Sequence, residues 1–282
     1  MKRVALIGHS IDYSISPRLH NAAFQALGMD CEYVLLDSEL EELPGVIQEL
    51  RKPDWLGANV TVPFKTAVLE LLDRSSEQAS AVGAVNTIYK SDGLLCGANT
   101  DVAGFLNDLS RQKVAVNQDK VVILGSGGAA RAVVFALASK GAELHIISRN
   151  EDQATALIHD LESALNTDLQ WHPWDLHGFS RAQIGTRLLI NATPVGMQPG
   201  SRRSPWPDEL MLPDRAFVYD LIYKPPISPL LAMAQEQGLP ASPGLGMLIE
   251  QAALSFEVWT GIAPPIEIMQ TIALQELESV ND

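Results

Sequence analysis

The 282-residue chain carries a formal net charge of −14, contains 46% hydrophobic residues and has two cysteines, Cys31 and Cys96. This length predicts two domains, the apolar content excludes a disordered chain, and the acidic balance argues against a nucleic-acid partner. No apolar stretch is long enough to span a bilayer, and the cysteines form no CxxC pair. We therefore expect a cytoplasmic globular protein that binds neither nucleic acid nor a membrane.

The first hundred residues alternate strand-like and helix-like segments, which indicates an α/β domain with a mostly parallel sheet. The predicted strands are residues 4–7, 31–36, 56–60, 84–89 and 94–98, and a turn at 91–93 makes the last two an antiparallel hairpin. The predicted helices run from Ser16 to about Gly28, over 39–52 with Pro44 as a potential break, from Pro63 onward, and over 75–82.

The second half of the chain repeats this rhythm. A helix is predicted over 100–112, with Thr100 available as its N-cap, and a new strand begins at Lys120. The remaining predicted elements are strands at 143–148, 188–191 and 217–220, a helix at 152–165, and helices after Gly244. Residues 198–213 are rich in proline, carry two arginines and are predicted to form a loop.

The glycine-rich stretch VVILGSGGAARA, residues 121–132, predicts a buried strand, a tight turn and the start of a helix near Ala129. Glycines at this point allow backbone N–H groups to approach a pyrophosphate, and the helix N-terminus attracts the anion. The spacing GxGGxxxA meets the dinucleotide fingerprint only loosely. A glycine-rich turn without a ligand therefore stays open as an alternative.

Two polar residues follow predicted strands, where open α/β sheets bind ligands: Lys65 after the strand ending at 60, and Asp101 after the strand ending at 98. A lysine held beside a carboxylate can act as an acid toward a ketone oxygen. The alternative is a solvated lysine and a capping aspartate. Ser14 and Ser16 precede a helix and suit a carboxylate ligand, although Ser16 as a simple N-cap is an equal alternative.

Other polar residues are less specific. Asn59, Thr61, Asn86 and Thr87 are polar groups near strand ends with no signature of their own. His9 and His20 lack the spacing of metal ligands, so we predict no metal site. His172 and His177 lie in a tryptophan-rich stretch that we interpret as a loop, and we assign them to packing or solvent.

Eight blocks taken together resemble the shikimate dehydrogenase family along essentially the whole chain. The blocks, in the order and spacing of that family, are SISPRLHN (14–21), GANVTVPFK (57–65), AVGAVNT (81–87), GANTD (97–101), GSGGAARA (125–132), NATPVGM (191–197), DLIYKP (220–225) and GLGMLIEQA (244–252). The resemblance implies NADPH-dependent reduction of 3-dehydroshikimate to shikimate in aromatic amino-acid biosynthesis. It also implies a substrate domain over 1–102, a Rossmann-like NADP domain over 103–242, and helices over 243–282 that pack back on the first domain.

The resemblance also assigns roles to individual residues. Lys65 and Asp101 match the catalytic pair, and Lys65 would protonate the ketone oxygen. The matching substrate-binding positions are Ser14, Ser16, Thr61, Asn86, Tyr223 and Gln251. The matching cofactor positions are Glu77, Gly125, Ser126, Gly127, Gly128, Ala129, Ser148, Arg149, Asn150, Leu221, Gly244 and Met247.

The sequence departs from the family pattern in two places. The opening block has Ser10 where the family has proline and Tyr13 where it has histidine, which could reshape the rim of the substrate pocket. The family's Asn-Arg-Thr is Ser148-Arg149-Asn150 here, and Arg149 can still pair with a 2′-phosphate. Because Glu151 and Asp152 follow closely and would repel that phosphate if they faced it, we favour NADP over NAD without excluding NAD.

Three functions therefore remain open on sequence alone. The first is a shikimate dehydrogenase, acting as a monomer or homodimer. The second is a quinate/shikimate dehydrogenase with relaxed cofactor use. The third is a non-catalytic sensor of pathway metabolites, which the presence of both Lys65 and Asp101 disfavours.

Overall fold

The computed structural model describes residues 1–165, 167–198 and 201–278. The chain divides into two compact units, here called unit 1 (residues 1–104 and 248–282) and unit 2 (residues 105–247). Among the described residues, every helix is too short or too polar to traverse a bilayer. The α/β class predicted from the alternation of elements is confirmed.

Unit 1 is built on a sheet of six strands in the order β2-β1-β3-β5-β6-β4, counted over the described part of the chain. Its strands are β1 (Lys2–Gly8), β2 (Cys31–Asp37), β3 (Trp55–Val60), β4 (Arg74–Ser75), β5 (Thr87–Ser91) and β6 (Leu94–Ala98). β1 pairs in parallel with β2 and β3, and β4 pairs in parallel with β6. β5 is antiparallel to both neighbours, which confirms the predicted hairpin.

Helices accompany this sheet, and three of them begin at candidate site residues, namely Ser16, Glu77 and Asp101. The helices of the N-terminal part are α1 (Ser16–Ala26), α2 (Leu43–Glu49), α3 (Glu77–Val82) and α4 (Asp101–Arg111). The C-terminal helices are α9 (Leu245–Thr260) and α10 (Ile266–Glu278), and the boundaries between the units fall within α4 and α9. In unit 1, α10 packs against α1, and Phe256 of α9 lies 5.2 Å from Phe24 of α1 between ring centroids.

Three local predictions in unit 1 were wrong. Pro63 does not open an α-helix: the chain turns and forms a 3₁₀ helix at Ala67–Leu71, because the carbonyl of Lys65 accepts from the N–H of Val85 at 2.7 Å. Ser16 is not an N-cap, since α1 already includes it and its own N–H donates to Ser14 Oγ at 3.3 Å. The side chain that caps α4 belongs to Asn99 and not to Thr100.

Unit 2 contains a second sheet, whose six described strands are all parallel in the order β12-β11-β10-β7-β8-β9. Its strands are β7 (Lys120–Leu124), β8 (Glu143–Ser148), β9 (Leu169–Pro173), β10 (Leu188–Asn191), β11 (Phe217–Asp220) and β12 (Ala241–Pro243). Numbered from β7, this is the strand order 3-2-1-4-5-6 of a dinucleotide-binding fold. The chain order reverses between β7 and β10, the position where such folds bind their ligand.

The helices of unit 2 are α5 (Gly128–Ala138), α6 (Glu151–Leu165), α7 (Leu176–Ala182) and α8 (Pro229–Glu236). The tryptophan-rich stretch is not a plain loop as predicted: it forms β9 and the start of α7, and His172 is buried on the strand. Part of the predicted proline-rich loop, Pro199 and Gly200, lies outside the described residues, as do residues 279–282 of the predicted C-terminal helices.

Candidate functional site

The central feature of unit 1 is a buried ion pair at the sheet edge where β3 and β6 end. Lys65 Nζ donates to Asp101 Oδ2 at 2.6 Å, and the two side chains are only 12% and 5% exposed. The residues are 36 positions apart in sequence, and their strand-end locations bring them together. A buried ammonium group held beside a carboxylate can donate a proton to a reacting oxygen, and the resulting amine can be reprotonated from solvent.

Asn86 fixes the carboxylate of Asp101 from the other side. Asn86 Nδ2 donates to Asp101 Oδ1 at 2.8 Å, so each carboxylate oxygen has its own donor. The backbone N–H of Thr100 donates to Asn86 Oδ1 at 2.7 Å. Because that N–H can only donate, it sets the Asn86 amide with its NH₂ toward Asp101.

A shared set of buried hydroxyl and amide groups supports Asn86. Ser255 Oγ lies 2.8 Å from Thr87 Oγ1 and accepts from Asn59 Nδ2 at 3.0 Å, and Tyr33 donates to Asn59 Oδ1 at 2.9 Å. Gln251 Oε1 lies 3.4 Å from Asn86 Nδ2. The chain thus holds its ion pair through strands β2, β3 and β5 and helix α9, which restricts the pair to one geometry.

Sequence reasoning missed Ser255 and Asn99 in this arrangement. Ser255 lies one helical turn after Gln251 and donates to its carbonyl at 2.9 Å. Because residues four apart share one face of a helix, the position of Ser255 relative to the candidate Gln251 was a signal that could have identified it. Asn99 precedes Thr100 and Asp101 directly, and its Oδ1 accepts from the N–H groups of Asp101 and Val102. Tyr33 carried no usable signal, because only the pairing of β2 brings it to Asn59.

The other predicted substrate residues of unit 1 occupy the start of α1 and the end of β3. Ser14 is half-buried and Ser16 is buried at the first turn of α1. Thr61 follows β3, and its N–H donates to the carbonyl of Ile7 at 2.9 Å. Glu77 is exposed at the first position of α3, where Ser76 caps the helix by accepting from Ala79 N–H. Tyr13 is 41% exposed beside Ser14, and partial burial raises the pKa of its phenol.

The glycine turn of unit 2 has the features that a dinucleotide requires. Gly125 directly follows β7 with φ of +104°, and a Cβ there would lie 2.9 Å from Thr193 Cγ2 in the segment after β10. A Cβ on Gly127, by contrast, would meet no atom within 4 Å. Gly127 is also the N-cap of α5, and because glycine has no side chain it cannot satisfy the first-turn N–H groups of Gly128 and Ala129. These residues fit a pyrophosphate.

The end of β8 shapes the next part of this loop. Ser126 Oγ lies 2.9 Å from the Oγ of Ser148, both side chains are buried, and Ser126 also donates to Gln153 Oε1 at 3.0 Å. Asn150 Oδ1 accepts from the N–H of Gln153 at the start of α6. Arg149 is exposed between them. Ser148 and Asn150 therefore hold the loop through their own contacts, while the Arg149 side chain is exposed and accessible to a ligand.

The remaining predicted residues of unit 2 lie after β11 and β12. Gly244 is buried, and a Cβ there would lie 2.3 Å from the carbonyl oxygen of Leu221, so only glycine allows these segments to approach. Met247 is buried and Tyr223 is half-buried. The turn depends on Asp220, which accepts from Asn191 Nδ2 at 2.9 Å and whose carboxyl pKa burial raises to about 6. Sequence reasoning assigned no role to Asp220.

The buried histidines belong to packing. His20 is fully buried and stacks on Tyr33 at 4.5 Å between ring centroids, and burial lowers its pKa to about 3. His145 Nδ1 lies 2.7 Å from His172 Nε2, while His145 Nε2 contacts Glu143 Oε1 at 2.8 Å. Burial lowers the pKa of both of these histidines, that of His172 to about 4. The described residues contain no His, Cys, Asp and Glu cluster that could hold a metal ion.

Comparison with known proteins places these features in a family. Residues 6–88 match the family model described as Shikimate dehydrogenase substrate binding domain, and residues 244–274 match Shikimate 5'-dehydrogenase C-terminal domain. A protein of Methanopyrus kandleri named shikimate dehydrogenase (NADP(+)) is 40% identical over 97% of this chain and 95% of its own length. One of Salinibacter ruber with the same name is 41% identical over 93% of each chain.

A solved structure agrees with the sequence matches. It is shikimate 5-dehydrogenase from Thermus thermophilus in complex with NADP(H) and shikimate, 38% identical, with a TM-score of 0.86 over 98% of this chain and 100% of that chain. The two-domain fold and the family expected from the eight sequence blocks are thereby confirmed. The chain belongs to the shikimate dehydrogenase family.

Proposed function

We propose that this chain is an NADP-dependent oxidoreductase that reversibly reduces 3-dehydroshikimate to shikimate. The observation that carries the proposal is the buried ion pair between Lys65 and Asp101, which is present in a chain 40% identical to proteins named for this activity. A sensor that only binds metabolites has no need of a buried proton donor. The intact pair therefore favours catalysis over the sensor alternative.

Lys65 is the proposed proton donor in the reductive direction. NADPH, when bound, supplies the hydride that reduces the ketone. The Lys65 ammonium donates its proton to the ketone oxygen and leaves a secondary alcohol, and solvent then returns a proton to Nζ. In the oxidative direction the neutral amine accepts the alcohol proton. General acid–base catalysis of this kind contributes about 10²–10⁴ in rate.

Asp101 and Asn86 position this proton and the substrate. Asp101 holds Nζ in place through one oxygen and is itself held by Asn86 through the other, so the donor is oriented before substrate arrives. We assign the substrate carboxylate to Ser14 and Ser16 at the start of α1. We assign the ring hydroxyls to Asp101, Asn86, Thr61, Gln251 and Tyr223, as the family blocks suggest.

The proposed cofactor site lies in unit 2, and the family resemblance separately assigns Glu77 to the cofactor. Gly125, Ser126, Gly127, Gly128 and Ala129 would hold the pyrophosphate, because this turn is open on the Gly127 side and its helix start is uncapped. We assign the 2′-phosphate region to Ser148, Arg149 and Asn150. We assign the surroundings of the nicotinamide to Leu221, Gly244 and Met247.

Reduction of nicotinamide, followed by its absorbance, tests the activity directly. Purified protein is mixed with shikimate or quinate and with NADP⁺ or NAD⁺, in all four combinations. Rapid reduction with shikimate and NADP⁺ alone is the expected result. Comparable rates with quinate or NAD⁺ would instead establish the relaxed quinate/shikimate enzyme. No reduction in any combination would contradict the proposed activity and favour the alternative of a non-catalytic sensor.

We also propose that the protein works in the cytoplasm as a monomer or a homodimer. Its acidic composition and lack of a CxxC pair fit that compartment. Sedimentation velocity across a range of protein concentrations measures the assembly state. A species larger than a dimer would contradict this part of the proposal.

A further inference from the structure

Unit 2 contains a cavity of about 170 Å³ next to the end of β8. It is lined by Arg149 after β8, by Trp174 after β9, and by Val195 and residues 203–207 from the long segment after β10. These are the carboxyl ends of strands on the adenosine side of the reversal between β7 and β10, where a parallel sheet of this order binds a nucleotide.

Two cations on this cavity have no counter-charge. Within the described part of the chain, the guanidinium groups of Arg149 and Arg203 form neither an ion pair nor a side-chain hydrogen bond, whereas Arg51 pairs with Asp73 and Arg131 with Asp160. In a chain of net charge −14, two unpaired arginines on one cavity are a concentrated positive site. A phosphomonoester dianion satisfies two guanidinium groups together.

The segment that carries Arg203 is anchored and not free on the surface. Three residues later, Trp206 is only 1% exposed, and its ring lies 5.0 Å from that of Phe179 at 83°. The N–H of Trp206 donates to Ser204 Oγ at 3.0 Å, which ties the intervening turn to the same anchor. The core of unit 2 thereby holds the segment of Arg203 at the cavity, so that little conformational entropy of this segment is lost when a ligand binds.

We propose that Arg203 is a second specificity residue for the cofactor and binds, with Arg149, the 2′-phosphomonoester of a nucleoside. The indole of Trp174 and the side chain of Val195 form the apolar part of the lining and suit the nucleoside itself. The inference rests on the proposed function for its biological ligand, since NADP carries such a phosphate and NAD does not. The binding chemistry itself can be tested without turnover.

The test is isothermal titration with adenosine 2′,5′-bisphosphate, which carries the 2′-phosphate, and with AMP, which lacks it. Arg203→Gln should weaken the bisphosphate about 10-fold and leave AMP unchanged, because two guanidinium groups share one dianion. The matched control is Arg202→Gln, which removes the same charge from an exposed neighbour that does not line the cavity. It should change neither affinity by more than about 2-fold, the size expected of a distant screened charge.

Two outcomes would overturn the inference: Arg203→Gln binding the bisphosphate like wild type, or Arg202→Gln weakening it equally, which would mean a general charge effect. Circular dichroism checks that each variant is folded. A protein that fails to oxidise shikimate but still loses bisphosphate affinity on Arg203→Gln would contradict the proposed function and support the site. An active enzyme whose Arg203→Gln variant keeps its full preference for NADP⁺ would support the proposed function and contradict the site.

Discussion

The Lys65–Asp101 ion pair of unit 1 differs in its charge environment from the cavity of unit 2 lined by Arg149 and Arg203, here called the cation cavity. Lys65 is paired and buried, and strands and helix α9 fix its partner Asp101 through Asn86 and Ser255. Arg149 and Arg203 are exposed, and no side chain of the described residues neutralises them. A reacting group gains from being oriented in advance, whereas a binding group gains from leaving its charge for the ligand to satisfy.

The largest expected effect comes from breaking the ion pair. Lys65→Ala removes the amine that accepts the alcohol proton in oxidation and donates it in reduction, so kcat for shikimate oxidation should fall by about 10³-fold or more while KM changes only a few-fold. Lys65→Arg should fall nearly as far, because a guanidinium group does not give up its proton. Steady-state kinetics measure both variants. Lys52→Ala, a surface lysine paired with Glu49, is the control. Substantial turnover by Lys65→Ala would exclude Lys65 as the acid.

A second prediction tests how tightly unit 1 holds the strand beside its site. Gly57→Ala would place a Cβ 2.1 Å from the carbonyl oxygen of Ile88, which already accepts from Trp259 Nε1. The free energy of unfolding of unit 1 should fall by about 3 kcal/mol. Gly45→Ala meets no atom in α2 and should stabilise by about 0.5–1 kcal/mol. Thermal unfolding of the two variants compares them, and equal midpoints would contradict the packing around Gly57.

A third prediction concerns His20, whose pKa in the folded chain is lowered to about 3 from 6.5 by burial. The unfolded chain therefore binds a proton at pH values where the folded chain does not, so stability rises with pH between about 3 and 6.5 and is lost on acidification. Protonation of this histidine in the unfolded chain makes the free energy of unfolding about 3 kcal/mol lower at pH 4.5 than at pH 7.

His20→Leu should remove that part of the acid sensitivity, measured as a smaller difference in Tm between pH 7 and pH 4.5. His177→Leu makes the same substitution at an exposed histidine of unit 2 and should leave the difference unchanged. An unaltered pH dependence in His20→Leu would show that other groups dominate the acid limb.

The smallest effect is expected at the cation cavity, where we propose that Arg149 and Arg203 share one phosphate. Arg149→Ala should raise KM for NADP⁺ about 10- to 30-fold and leave KM for NAD⁺ nearly unchanged, because only NADP carries the 2′-phosphate. Kinetics with each nucleotide at saturating shikimate measure the ratio. Equal loss with both nucleotides would show that Arg149 does not face the 2′-phosphate.

The sequence by itself determined the α/β alternation of both halves and the places where chemistry could occur, although β4, β9, β12, α7 and α8 were not predicted. Strands at 143–148, 188–191 and 217–220 were predicted with their observed bounds, because buried parallel strands appear as short apolar runs between turn residues. Glycines after β7 and the polar residues after β3 and β6 were visible for the same reason: strand ends are local features. The eight blocks then identified the family.

Only the tertiary structure decided how those residues meet. Asn59 and Ser255 share a hydrogen bond across 196 positions, and Arg203 joins Arg149 because Trp206 is buried against Phe179. The helix predicted after Pro63 does not form for a similar reason: the carbonyl of Lys65 accepts from the N–H of Val85 on another segment. Periodicity and propensity describe a residue's immediate neighbours, whereas hydrogen bonds between distant segments depend on packing that no local pattern encodes.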